Sequence, residues 1–127
     1  MPEIVKMAEE LEDQVQFSLI YIAEAHANDE WPVRSSRYHS NGVVDLKQPT
    51  TLLERVAVAR AFVNEYLEED SRIQVLVDDP EKGDPYLQAF SPWPLRFHVL
   101  GEDGTFTLIA NPKSGMFDLS EIRNALV

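Results

Sequence analysis

Two short apolar runs, Phe17-Ser18-Leu19-Ile20-Tyr21-Ile22 and Ile73-Gln74-Val75-Leu76-Val77, flank a segment that carries the marks of an amphipathic helix. Thr51-Leu52-Leu53-Glu54 has the form of a capping box, in which a hydroxyl and a carboxylate satisfy the first free N–H groups of a helix. Behind it Leu52, Val56, Ala59, Val63 and Leu67 keep helical period. Glu68-Glu69-Asp70 then places negative charge at the negative end of the helix, where it should fray and stop. Strands joined by a helical crossover pair in parallel, so this one unit commits the chain to an α/β arrangement.

The remaining elements extend that frame. A first helix is expected from Pro2 to about Asp13, with proline in its first turn and Ile4, Met7, Ala8, Leu11 and Val15 on one stripe. The first strand is expected as a buried one, reaching from Val15 to Ala23. Asn28 to Pro49 reads as a long irregular stretch containing an Asn41-Gly42 turn signal and the apolar patch Val43-Val44. After the acidic turn Asp78–Gly83 comes a short helical turn around Tyr86–Phe90. Leu95–Leu100 and Thr105–Ala110 then face each other across Gly101-Glu102-Asp103-Gly104 as a hairpin. Asp118-Leu119-Ser120-Glu121 caps a last helix to Val127. The sum is one domain over residues 1–127, a mixed sheet flanked by helices.

Composition narrows the function. A formal charge of −11 opposes binding to nucleic acid and to anionic membrane surfaces. No segment approaches the roughly 18 consecutive apolar residues of a membrane span, and the N-terminus lacks the regions of a signal peptide. The expectation is a soluble, cytoplasmic chain. Zero cysteine removes disulfides, thiolate catalysis and cysteine metal sites. His26, His39 and His98 fall in unrelated segments without ligand spacing, so no metal is expected.

Polar groups appear where the first strand ends. In open α/β sheets, ligands bind outside the carboxyl ends of strands. Glu24 and His26 stand two apart and face the same way in an extended backbone. A carboxylate beside an imidazole could relay a proton or grip a polar ligand; the alternative is a strand end solvated by the polar residues that follow. A hydrolase built on this pair would need a nucleophile, and Ser35 and Ser36 lack any nucleophile-elbow context.

The whole string from Tyr21 to Trp31, Tyr-Ile-Ala-Glu-Ala-His-Ala-Asn-Asp-Glu-Trp, resembles the block Tyr-Ile-Glu-Glu-Ala-His-Ala-Ser-Asp-Gly-Trp of the iodothyronine deiodinases. These enzymes remove iodine reductively from thyroid hormones with a selenocysteine, or a cysteine in some relatives. Further likenesses cover nearly the whole chain. Gln48 to Arg55 lies where vertebrate members have His-Gln-Asn-Leu-Gln-Asp-Arg-Leu, and Val75-Leu76-Val77-Asp78 is similar to Pro-Val-Val-Val-Asp. Trp93 to Leu100 is similar to Leu-Pro-Glu-Arg-Leu-Tyr-Val-Ile, and Gly104 to Ile109, Ser114-Gly115 and the last helix follow the family's closing segment. Vertebrate members carry an N-terminal membrane anchor that has no counterpart here.

The resemblance implies a thioredoxin-like fold and redox chemistry on a small-molecule substrate, for which a halogenated aromatic is the candidate. It implies no cofactor, and a thiol reductant as co-substrate. Glu24 and His26 would handle protons, Trp31 would pack on an aromatic ring, and Arg96 would hold an anionic end as a planar fork or, equally, cover a sheet edge. By analogy with other thioredoxin-like folds, Pro94 would be the cis proline beside the reactive chalcogen. A second family histidine aligns near Pro49 and has no carrier. The family's nucleophile ends a central strand that precedes the helix beginning this chain, so that strand and its selenocysteine or cysteine are expected upstream of Met1, in a longer reading frame. The chain as written should be inactive. A binding or scaffolding domain without a nucleophile is the other reading.

Overall fold

The computed structural model describes residues 1–24, 47–69, 71–92, 95–111 and 118–126. Helix α1 spans Pro2–Glu10, with proline in the first turn, and buries Met7 and Ala8. It stops about one turn short of the expected Asp13. Glu9, Glu10, Glu12 and Asp13 crowd the negative end of the helix dipole there, and Gln14 and Val15 instead turn back on the Leu11 carbonyl, each at 2.9 Å.

Strand β1 (Phe17–Tyr21) pairs in parallel with β2 (Ile73–Val77), Phe17 opposite Ile73 and Tyr21 opposite Val77. The crossover is α2, Leu52–Tyr66. Its start is the capping box read from the sequence: the Glu54 N–H donates to Thr51 Oγ1 at 3.1 Å and the Thr51 N–H to Glu54 Oε2 at 3.3 Å. Ala59 and Leu67 are buried as the helical period requires, and the helix ends before the acidic run at 68–70. The expectation of a buried first strand does not hold: Phe17, Leu19, Ile20 and Tyr21 are half-buried and Ser18 is exposed. A strand with one hydrogen-bonded neighbour has less of the sheet around it to exclude water.

A 3₁₀ turn at Pro80–Lys82 and helix α3, Pro85–Phe90, follow β2. Strands β3 (Phe97–Leu100) and β4 (Phe106–Ala110) form the expected antiparallel hairpin, with a register shift after Val99. Gly104, at φ +78°, takes the left-handed position its turn requires. Helix α4 covers Leu119–Leu126 and buries Ile122. The parallel pair and the hairpin form two separate two-stranded sheets among the described residues, in place of one mixed sheet.

The two sheets share a core through α1. Met7 and Leu11 cluster with Ala110 and Ile122, and Phe17 of β1 and Phe97 of β3 both pack on that cluster. On the neighbouring side, Ala8 joins Leu67 and Ile73, with Val63, Leu19 and Val75 around them. Among the described residues no helix is long and apolar enough to cross a membrane.

Candidate functional site

The carboxyl ends of β1 and β2 meet around the largest fully buried side chain described, an arginine. Arg55 on α2 is 1% exposed. Its Nη1 donates to the Asp78 carbonyl at 2.9 Å and forms an ion pair with Asp84, while Nε is buried without a partner. Asp78 follows β2 directly. Its backbone N–H donates to the Tyr21 carbonyl at 2.9 Å, and its carboxylate accepts from the N–H groups of Tyr86 (2.8 Å) and Leu87 (3.0 Å), capping α3. Asp84 sits at φ +53°, a left-handed conformation costly for a residue with a Cβ and one that clusters at ligand clamps.

Beside this hub, the Tyr21 hydroxyl donates to Glu24 Oε1. Burial pushes the Tyr21 hydroxyl far above the usual tyrosine range; the bond to Glu24 and the Glu24 charge add to this, and the Arg55 charge works against it. Tyr21 therefore stays protonated and donates at all physiological pH. Gln48 holds the Glu24 backbone at two points: Oε1 accepts from the Glu24 N–H and Nε2 donates to the Glu24 carbonyl, both at 2.9 Å. Such a pair imitates a strand neighbour and fixes which end of the amide is which. A cavity of about 440 Å³ opens here, lined by Ala23, Gln48, Thr50, Arg55, Asp84 and Leu87 among others. A larger one of about 660 Å³ lies at the opposite strand ends, against Glu12 and Arg72. That one is at the wrong pole for an α/β ligand site, and its Arg72 is spent on Glu12 at 2.7 Å.

A second polar feature lies on the hairpin. The Tyr86 hydroxyl and His98 Nδ1 are 2.7 Å apart, and His98 stacks on Phe106 with ring centres 4.9 Å apart. Burial, then the Arg96 charge, holds the His98 imidazole below its ordinary pKa. Among the described residues no group of three His, Cys, Asp or Glu side chains could hold a metal ion.

A family model for iodothyronine deiodinase matches residues 1–126. The chain belongs to the iodothyronine deiodinase family. No curated protein matches it. Of the side chains that the deiodinase resemblance singles out, Glu24 stands in the described site, bonded by Tyr21 and held by Gln48. Arg96 precedes β3, donates to the Leu95 carbonyl at 2.7 Å, and does not line the cavity. His26, Trp31 and Pro94 lie outside the described residues, as do His39, Asn41-Gly42, Val43-Val44 and Ser114-Gly115. Sequence reasoning gave no role to Tyr21, Gln48, Arg55 or Asp84. One signal was present for Arg55: it falls three residues after Leu52 and four before Ala59, a charged residue on the helix face that the apolar spacing marks as inward.

Proposed function

We propose that this chain forms the body of a deiodinase-like, thioredoxin-fold oxidoreductase site that reduces a carbon–halogen bond on a small aromatic substrate. The observation that carries the reading is the Tyr21–Glu24 pair at the carboxyl end of β1, a proton-handling group on the strand end where the family block lies. A thiolate or selenolate takes the halogen while the carbon takes a proton by way of Glu24 and His26; one external thiol then displaces the halide to give a mixed disulfide or selenosulfide, and a second thiol cleaves it, leaving as the external disulfide and returning the chalcogen to its reduced state. Trp31 and Arg96 hold the substrate, and Pro94 lies beside the chalcogen. Such chemistry needs a low-pKa chalcogen, and this chain contains no cysteine.

The nucleophile therefore belongs on a further strand, encoded upstream of the Met1 codon, that enters between β1 and β3. Support comes from the two sheets: β1 pairs only with β2 and β3 only with β4 among the described residues, yet Phe17 and Phe97 pack on one cluster. Zero cysteine also favours a second reading, a ligand- or partner-binding domain that does no redox chemistry. Expressing the protein from the nearest upstream start with an in-frame cysteine or UGA codon, and assaying thiol-dependent release of halide from an iodo-aromatic, separates them. Turnover in the longer protein and none in the 127-residue chain is the expected result. Stop codons in every upstream frame, or a longer protein that binds without turnover, would leave the binding reading.

A further inference from the structure

Helix α3 is attached to the molecule differently from the other helices. None of its six residues is buried, whereas α1, α2 and α4 each bury side chains. Among the described residues, the non-glycine positions with positive φ are the two that flank it, Asp84 at +53° and Ser91 at +47°. A left-handed residue with a Cβ is disfavoured, serine more than aspartate, and such strain persists only where the surroundings over-determine it. Both of these positions are tied to the body of the fold. Asp84 pairs with the buried Arg55 of α2, and Pro92, directly after Ser91, is buried.

Between those fixed points, α3 is kept down by contacts that water can replace. The Asp78 carboxylate accepts from the Tyr86 and Leu87 N–H groups at 2.8 and 3.0 Å. The Tyr86 hydroxyl and His98 Nδ1 lie 2.7 Å apart, and Phe90, itself 44% exposed, meets Phe106 edge-on with ring centres 5.5 Å apart. Exchanging such hydrogen bonds for bonds to water has only a small net cost. A segment with little buried apolar area lies at the low-stability end of a fold, from which lids are drawn. What α3 adjoins is the cavity of about 440 Å³ at the carboxyl ends of β1 and β2: Asp84 and Leu87 belong to its lining, together with Ala23 beyond β1.

We propose that α3 is a hinged lid on this cavity, turning as a unit about Asp84 and Ser91 and latched shut by the Tyr86–His98 bond. Opening carries Leu87 off the lining and relieves the left-handed backbone at the two pivots. Closing returns Tyr86 to His98 and Leu87 to the cavity wall. The lid acts on access alone and does not depend on which chemistry the cavity serves.

Native-state hydrogen exchange of the 127-residue chain tests this. Four α3 amides have defined acceptors: Tyr86 and Leu87 on the Asp78 carboxylate, Gln88 on the Asp84 carbonyl and Ser91 on the Leu87 carbonyl. They should share one protection factor, about a hundredfold or more below those of Ala59 in α2 and Asp78 after β2. Tyr86→Phe keeps the ring and removes the latch. It should lower protection at all four amides by about fivefold and leave Ala59 and Asp78 unchanged. Because the chain contains no cysteine, Ala23→Cys places a single thiol on the lining. Its rate of reaction with a bulky maleimide should rise by the same factor when Tyr86→Phe is added. The lid is overturned by α3 amides as protected as Ala59, by four unrelated protection factors, by a loss shared equally with Ala59, or by labelling indifferent to Tyr86→Phe. None of these readouts involves halide release, so they stand apart from the outcome of that assay.

Discussion

The parallel half and the hairpin half both bury apolar residues against α1, and the parallel half buries a charge as well. Around β1, β2 and α2, the deepest side chain is Arg55, 1% exposed and tied to Asp78 and Asp84. The hairpin buries apolar residues on one face, Phe97, Val99, Leu108 and Ala110 against α1 and α4. It turns His98, Leu100, Phe106 and Ile109 outward on the other. There α3 supplies Tyr86 and Phe90 against His98 and Phe106, while Leu100 and Ile109 stay 58% and 53% exposed. Buried polar groups cost free energy unless they are satisfied, so a chain that keeps an arginine at the centre of one half gains chemistry or specificity there rather than stability. Apolar packing ties both halves to α1, through Leu67 and Ile73 on one side and Ala110 and Ile122 on the other. What separates the halves is the buried charge.

Substitutions can break or sharpen this division. The largest effect should come from Arg55→Met, which strands the Asp84 carboxylate and the Asp78 carbonyl; a loss of about 3–5 kcal/mol in denaturant unfolding is expected for one broken partner of a buried ion pair. If the loss is negligible, the polar half is not built around Arg55. Next comes Ile122→Ala, which hollows the core under the hairpin and should cost about 3 kcal/mol. Its outward counterpart Leu100→Thr should change stability by no more than about 0.5 kcal/mol. Equal effects at the two positions would erase the distinction between the hairpin's faces.

Thr51→Ala removes the cap of α2 and should cost about 1 kcal/mol, a purely local effect measurable by the same unfolding curve. The smallest effect is a pH dependence at His98. The folded protein favours the neutral imidazole, so the unfolded chain takes up its proton first as pH falls. The contribution of this group is therefore intact above the ordinary histidine pKa of about 6.5 and is lost progressively below it. His98→Gln should flatten the slope of stability against pH between 6.5 and 5. An unchanged slope would place the acid sensitivity elsewhere.

What the sequence made legible was whatever depends on neighbours along the chain. The capping box at Thr51–Glu54, the parallel partners Phe17–Tyr21 and Ile73–Val77, and the hairpin around Gly104 are each written in a few adjacent residues. The end of α1 was misjudged because the apolar stripe continues to Leu11 and Val15 after the acidic residues have stopped the helix. The half-burial of β1 depends on what covers the sheet, which no local pattern carries. Glu24 stands out in the sequence because strand ends are where such folds place ligands. Arg55 does not, because its partner Asp84 is 29 residues further on and lies in an acidic turn that reads as ordinary solvated surface.

The two-point hold of Gln48 on the Glu24 backbone has a consequence for how such a chain can change. It ties together residues 24 positions apart, and so fixes both feet of the excursion between them at the rim of the cavity. The entropy of closing such an excursion grows slowly, by about 0.6 kcal/mol per doubling of its length. Insertions and deletions between the two feet are therefore cheap, while the position of Glu24 is set by an amide that does not take part in them. The segment can change in length and sequence without Glu24 losing its place.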